Sequence, residues 1–310
     1  MEFQKSEKLI EGKTKVIWGV KDNPEKVIIE NKNDITAFDD AKFTKQFKSK
    51  AKHATTVTCQ VFSLLKKAGI PVAFDGQVAD NKFVSPSCTM IPLEVVCRRF
   101  AVGSFLKRHP ELKNEDKNPH RFHSLEVEFF LKTTDGGLEV DGEKLVDGLV
   151  AKDGEEDPFI ENPLEENWVL SHPKKPSWEE DSKLDKNVEA SKVLKKDSKQ
   201  MVESMEELMR KVFLVLEGAW NGMGYRLIDM KIEFGIDNEG NLLVADVIDN
   251  DSWRLRDANW EELSKEAFRQ GEELDEVEKK YGFVAALSKN FRAPKQALVM
   301  WRGSESDEFP

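Results

Sequence analysis

Three cysteines in 310 residues, Cys59, Cys88 and Cys97, are too few to staple a fold. They are odd in number and lack metal-ligand spacing, so a reducing compartment fits them best. No apolar run approaches the roughly 20 residues that span a bilayer, so no membrane-spanning helix is expected in this stretch of chain. The opening "MEFQKSEKLIEGK" lacks the apolar core of a secretion signal, and the chain reads as cytoplasmic. A basic excess is missing as well. The net charge is −11, which argues against a general nucleic-acid binder but leaves room for a local basic site that holds a phosphorylated small molecule. No internal repeat is evident.

What the chain does have is 39 % apolar and 34 % charged residues, the balance of a very soluble globular protein. Its length is enough for a sizeable core divided between two lobes. Residues 8–31 read as a hairpin turning at Asp22-Asn23-Pro24. Residues 52–68 read as an amphipathic helix through Val57, Val61, Leu64 and Leu65, closed by Gly69. "KFVSPSCTMIPLEVVCRRF" reads as strands around a proline-marked connector. The glycine- and acid-rich stretch 133–150 reads as a surface insertion. The polar stretch 173–199 predicts a mobile connection or the polar start of a helix. A long helix is predicted over 200–219, with Met201, Met205, Leu208, Val212, Val215 and Leu216 inward, and another over roughly 260–289.

One stretch resists a bland reading. "LIDMKIEFGIDNEGNLLVADVIDNDSWRL", residues 227–255, carries seven carboxylates in a strand-like setting. Ile228, Met230, Ile232 and Phe234 alternate with Asp229, Lys231 and Glu233. With Glu239 and Gly240 as a two-residue loop, Glu233 would sit opposite Asp246 in a hairpin. Two like charges so placed destabilise a sheet unless a cation lies between them, and an all-oxygen ligand set suits Mg²⁺. A solvated outer face is the competing reading.

Three shorter stretches add anion chemistry. In "EGKTK", Gly12 allows close backbone approach while Lys13 and Lys15 can neutralise phosphates; taken alone, the residues favour a plain edge-strand lysine pair. "MIPLEVVCRRFAVGS" runs a strand into Arg98-Arg99 with a Gly-Ser pair after it, and arginine's planar fork matches phosphate or carboxylate. "DNDSWRL" offers Ser252 and Arg254 beyond the acidic hairpin. His120 and His123 lack acid or cysteine partners and read as surface residues. Cys97 reads as packing.

Together these stretches resemble the SAICAR synthetase family, whose two signature segments match "MIPLEVVCRRFAVGS" and "LIDMKIEFG". "GKTK", "NDITAFDD" and "SWRL" match further family segments, over about Lys8 to Phe291. Val102 and Arg256 depart from the family pattern at positions that carry no catalytic charge. The resemblance implies an α+β fold of two lobes around an ATP cleft: an N-terminal sheet lobe over 1–92 and a substrate- and Mg²⁺-binding lobe over 93–291. It also implies an ATP-dependent ligase that joins the carboxylate of CAIR (carboxyaminoimidazole ribonucleotide) to L-aspartate, through an acyl phosphate, as a homo-oligomer.

Residue by residue, the resemblance implies that Glu233 and Asp246 hold Mg²⁺ and that Gly12, Lys13, Lys15 and Lys231 face the ATP phosphates. Met90 would lie at the adenine edge. Arg98, Ser104, Ser252 and Arg254 would hold the nucleotide substrate, with Asp39, Lys265 and Arg269 near it. Asp153 in "KDGEEDP" would be the substrate-side acid, with Asp135 as competitor. The tail "QALVMWRGSESDEFP", within 292–310, reads as a buried strand and resembles the opening of an AIR carboxylase domain; so short a piece is not expected to carry carboxylase activity. A catalytically silent paralogue kept as an assembly module is the alternative. A kinase-like phosphotransferase is disfavoured because no "HRD…N" or "DFG" stretch is present.

Overall fold

The structure, a computed structural model, describes residues 3–36, 44–133, 137–146, 150–151, 154–155, 157–185, 187–195 and 197–292. Near the N-terminus, Val27 and Ile29 turn into the main core while Val20 and Ile28 pack in a separate small cluster with Val84, and three strands result rather than the expected single hairpin. These are β1 (Lys5–Glu11), β2 (Lys15–Val20) and β3 (Asn23–Asn31). The stretch Glu11–Lys15 is therefore the β1–β2 connection. The second turn falls at Lys21-Asp22, where Asp22 takes a left-handed backbone. Helix α1 (Lys50–Lys67) follows, then β4 (Gly76–Ala79) and β5 (Lys82–Pro86), which complete an antiparallel sheet ordered β1-β2-β3-β5-β4.

At Ser87 the chain passes into a second sheet. The expected proline-marked connector falls at Pro86-Ser87, and the chain beyond it runs as one long strand, β6 (Cys88–Phe100), so Met90 lies within a strand and not at the connector. Strands β7 (Arg121–Leu131), β8 (Phe159–Ile160) and β9 (Leu170–Ser171) extend the sheet on one side. On the other side lies β10 (Arg226–Asp237), which pairs with both β11 (Leu242–Ala245) and β12 (Trp253–Arg256). The order is β9-β8-β7-β6-β10-β11, with β12 also on β10. Helix α2 (Ser198–Asn221) buries Val202, Met205, Met209, Val212, Phe213 and Leu216 against this sheet, while Met201 and Leu208 sit half-buried at its edge.

The two sheets share one hydrophobic cluster. Val27, Ile29 and Phe83 of the first sheet belong to the same packed group as Leu93, Val95, Met230 and Phe234 of the second. Backbone hydrogen bonds also join them: Ala73 N donates to Val244 O at 2.8 Å, and Val244 N to Pro71 O at 3.0 Å. Burial of this kind, at about 25 cal/mol per Å² of apolar surface, fixes the relative position of the two walls.

Three further expectations need correction. The stretch 133–150 is not wholly a surface insertion, because its hairpin at Leu138–Val140 and Glu143–Val146 buries Leu145 and Val146 in the main core. The stretch 173–199 is anchored rather than a plain mobile connection: Val188, Ala190, Val193 and Leu194 pack into the same core. The predicted 260–289 helix is divided into a short turn, Glu266–Arg269, and α3 (Leu274–Ser288). Gly271, at φ +86°, separates the two, since that backbone cannot continue a right-handed helix. The tail's predicted strand lies outside the described residues.

Candidate functional site

The acidic hairpin turns through three residues, Asn238 to Gly240, rather than two. Asp237 N donates to Asn241 O at 3.1 Å, and Asp237's carboxylate accepts the amides of Glu239 and Asn241 at 2.9 and 2.8 Å. Gly240 takes φ +86° to close the loop. The extra loop residue shifts the register, so Glu233 faces Ala245 and not Asp246. The expected Glu233–Asp246 opposition is corrected accordingly. On its other side, however, Glu233 lies directly across from Glu94 of β6. A like-charge pair in the sheet is real, with a different partner.

Lysines offset it. Lys231 donates to Glu94 at 2.5 Å, and Lys132, just beyond β7, donates to Glu233 at 2.5 Å. Lys15, from the first residue of β2, crosses between the sheets to pair with Asp246. Asp246 ends β11 because its φ of +63° turns the chain off the sheet edge. Burial works against the Glu233 charge, yet Lys132, Lys15 and Lys231 hold its carboxyl below the usual range. Burial pushes the Lys15 ammonium down to about 8, opposed by Glu233 and reinforced by Lys132. The arrangement brings three ammonium groups and three carboxylates into one partly enclosed place, which suits a polyphosphate and an accompanying cation.

Gly12 and exposed Lys13 lie on the β1–β2 turn, where Gly12 N donates to Lys15 O at 2.9 Å. Met90 is 42 % exposed and lies across from Gly235 of β10. A Cβ on Gly235 would come within 2.7 Å of Cys88 Cβ and 3.3 Å of Met90 Sδ, so glycine is needed for the close approach of these strands. Asp39, Asp135 and Asp153 lie outside the described residues. In the same neighbourhood sequence reasoning missed Asp157, whose carboxylate accepts Thr133 N at 2.7 Å and Thr133 Oγ1 at 3.0 Å. Burial raises it to about 6, helped by the charge of Glu94. The Asp-Pro dipeptide at 157–158 was the available signal.

A second set gathers around Asp229. Arg98, 3 % exposed, donates to Asp229 and Glu128 at 2.5 Å each and to Ser104 Oγ at 3.2 Å. Arg254 donates to the same Asp229 oxygen at 2.6 Å. Arg108 pairs with Glu128's other oxygen and donates to Pro173 O at 2.6 Å. Gly103, at φ +60°, lies so close to Arg254 that a Cβ would meet its guanidinium at 2.6 Å. The structure thus brings Arg98, Ser104 and Arg254 together and commits Arg98 largely to protein carboxylates. Arg254 is the more open of the two.

Between β11 and β12 the chain loops out through Asp249 to Ser252. Ser252 Oγ donates to Val247 O at 3.2 Å and accepts Asp249 N at 3.2 Å, so it braces the loop itself. Asp251 accepts Tyr281 OH at 2.5 Å, Lys50 at 3.2 Å and Lys265 at 3.3 Å. Burial opposes Asp251's charge, but Lys265 and Lys50 hold its carboxyl far below the ordinary range; burial and Asp251 push the Asp249 carboxyl up. Arg269 and Arg254 share Glu266, at 3.0 and 3.4 Å. Asp229, Lys50 and Tyr281 were not singled out from the sequence, because their partners lie far away along the chain.

Among the described residues no group of three or more His, Cys, Asp or Glu side chains stands ready to hold a metal ion. Glu233 and Asp246 still fit one. Both are oxygen donors beside the phosphate-suited lysines, and Mg²⁺ is usually held by one or two carboxylates together with substrate phosphates.

Comparison with known proteins gives a consistent result. The SAICAR synthetase family profile matches residues 8–146 and 143–285. A Caenorhabditis elegans protein named "Probable multifunctional protein ADE2" is 32 % identical over 310 residues, covering 97 % of this chain and 63 % of that protein. The chain therefore spans less than two thirds of that relative's length. A Chloroflexus aurantiacus protein named phosphoribosylaminoimidazole-succinocarboxamide synthase is 33 % identical over 289 residues, covering 90 % of this chain and 95 % of the relative. Among solved structures, a SAICAR synthetase in complex with ADP matches with TM-score 0.65 and 25 % identity, over 92 % of this chain and 99 % of the other.

Proposed function

Since the chain belongs to the SAICAR synthetase family, we propose that it is the ATP-dependent ligase that joins CAIR to L-aspartate in purine biosynthesis. The observation that carries this reading is Lys15 reaching from one sheet to Asp246 of the other, beside Lys132, Lys231 and Glu233. ATP phosphates would lie over these lysines, with Gly12 and Lys13 on the covering turn and the adenine edge near Met90. Glu233 and Asp246 would hold Mg²⁺, which supplies charge neutralisation at the phosphoryl oxygens when bound.

The chemistry needs positioning above all. A CAIR carboxylate oxygen bonds to the γ-phosphorus as ADP leaves, giving an acyl phosphate. The aspartate nitrogen then attacks the acyl carbon, loses a proton and expels phosphate, leaving the amide. Arg254, Ser104 and Arg98 would orient CAIR, with Asp229 fixing both arginines. Lys265 and Arg269 would lie at its outer side, Ser252 would shape the loop, and Asp39 and Asp153 keep their proposed places on the substrate side. Asp157, its carboxyl raised to about 6, is a further acid beside Lys132.

We divide the chain into 1–92, 93–291 and 292–310, the last resembling the opening of an AIR carboxylase domain. That tail, with the 63 % span of the C. elegans relative, supports a synthetase part of a bifunctional enzyme. The free thiols Cys59 and Cys97, both buried, are in keeping with a cytoplasmic setting. Exposed Leu9 and Ile10 on edge strand β1 favour self-association into a homo-oligomer.

ADP release is measured with ATP, Mg²⁺, CAIR and L-aspartate, each omitted in turn. Release that needs all four, and falls by about a thousandfold in Glu233→Ala/Asp246→Ala, supports the ligase; that is a loss of about 4 kcal/mol. No release from the complete mixture would sink the ligase reading in favour of the silent assembly module.

A further inference from the structure

On the far side of the second sheet from the lysine cluster, α2 and the strand ends enclose a cleft of about 380 Å³. We propose that it binds a small phosphate-bearing anion, separate from the ligase site. Arg98 and Arg99 point to opposite faces of β6, as strand alternation requires. Arg98 joins the Asp229 network, whereas Arg99 turns to α2 and clasps Glu217 through two bonds of 2.6 and 2.8 Å. That pair is neutral, and two further guanidinium groups line the same cleft.

Arg121, opposite Phe100 on β7, is exposed and has no hydrogen bond or ion pair among the described residues. Arg226 donates only to a backbone carbonyl, Asp257 O at 2.8 Å, and lies over the Trp260 ring at 5.0 Å. With Arg99 and Glu217 cancelling, the cleft carries two uncompensated positive charges on a chain of net charge −11. The C-terminal end of α2 faces it and subtracts roughly half a charge, which leaves the sign positive. Half-buried Tyr225 adds a hydroxyl, and the volume falls in the range of small-molecule sites, about 300–1,000 Å³. Two forked guanidinium groups without carboxylate partners, beside a polar ring, match a phosphate ester or pyrophosphate better than a carboxylic acid alone.

The test is equilibrium dialysis of the full chain with radiolabelled pyrophosphate under saturating ADP. The expected result is one ADP-insensitive site that survives Arg254→Gln and weakens at least tenfold in Arg121→Gln/Arg226→Gln. Arg121→Lys/Arg226→Lys keeps the charge but not the fork and should retain more of the binding than the Gln pair but less than the parent, which separates lost charge from lost fold. Glu217→Gln should tighten it several-fold by releasing Arg99. Binding wholly displaced by ADP, lost in Arg254→Gln, or unchanged in the Arg121→Gln/Arg226→Gln variant would overturn the proposal. So would a changed sedimentation coefficient in that variant with binding intact, which would make the cleft a contact between copies.

Discussion

The Lys15–Asp246 cluster and the Arg98–Asp229–Arg254 network use the same chemistry, ion pairs between strands, at different depths. In the first, the side chains of Lys15, Lys132 and Lys231 are 23, 38 and 44 % exposed. In the second, Arg98, Glu128 and Asp229 are almost fully buried and every carboxylate meets more than one donor. The partly exposed ammonium groups of Lys132 and Lys231 can exchange a carboxylate for a phosphate at little cost, because water screens the intermediate state, and Lys15, the most buried of the three, regains its full charge when a phosphate arrives. A buried guanidinium cannot, because stripping its partner leaves an uncompensated charge in low dielectric. The lysine cluster is therefore suited to turnover, and the arginine network to holding shape while Arg254 and Ser104 meet ligand.

Removing the hub of the buried network should give the largest change in stability. Asp229→Ala is expected to cost about 3 kcal/mol in urea unfolding, since it takes a carboxylate from two arginines at once and leaves Arg98 with Glu128 and Arg254 with Glu266. If the loss is below 1 kcal/mol, the network is no scaffold and the contrast fails.

Lys15→Met should spare stability while weakening ATP binding about ten- to a hundredfold, the worth of one or two charge-assisted bonds. Calorimetric titration would separate the two. Lys15 titrates near 8 in the folded chain, against an ordinary 10.5. Phosphates favour its charged form, so ATP affinity should fall as pH rises through 8, and the fall should flatten in Lys15→Met. In the free protein the unfolded chain holds this proton more tightly, so between pH 8 and 10.5 stability rises with pH.

Asp157 gives a pH slope confined to acid. Its folded value near 6 lies above its ordinary 3.8, so the folded chain binds the proton more tightly and stability falls as pH rises through that window. Asp157→Asn should flatten this slope in thermal melts between pH 4 and 6, and the variant should be more stable than the parent at pH 7. A pH profile identical to the parent's would show that Asp157 does not carry the raised titration.

The smallest effect is expected at the seam of β6 and β10. Gly235→Ala would force Cys88 and Met90 aside, costing about 1 to 2 kcal/mol. Steady-state kinetics should show a raised KM for ATP with kcat little changed; an unaltered KM would place Met90 away from the nucleotide.

Local periodicity was enough to read α1, the long α2, the β10 alternation and the motifs that carry Lys15, Arg98 and Arg254, because each signal lies within a few adjacent residues. Family membership followed from those motifs. Local reading failed where one residue of loop length mattered: the three-residue turn moved Glu233 from Asp246 to Ala245, since strand register has a period of two and tolerates no slip. It failed again at β1–β3, where a Gly-containing turn passed for strand, and over 260–289, where Gly271 breaks the helix. The sequence by itself determined which charged groups the protein has and which strands bear them. Only the tertiary structure decided their partners, placing Glu94 across from Glu233 and Lys15 against Asp246, because a charge is neutralised by whatever the folded sheets bring within bonding distance, however far away along the chain.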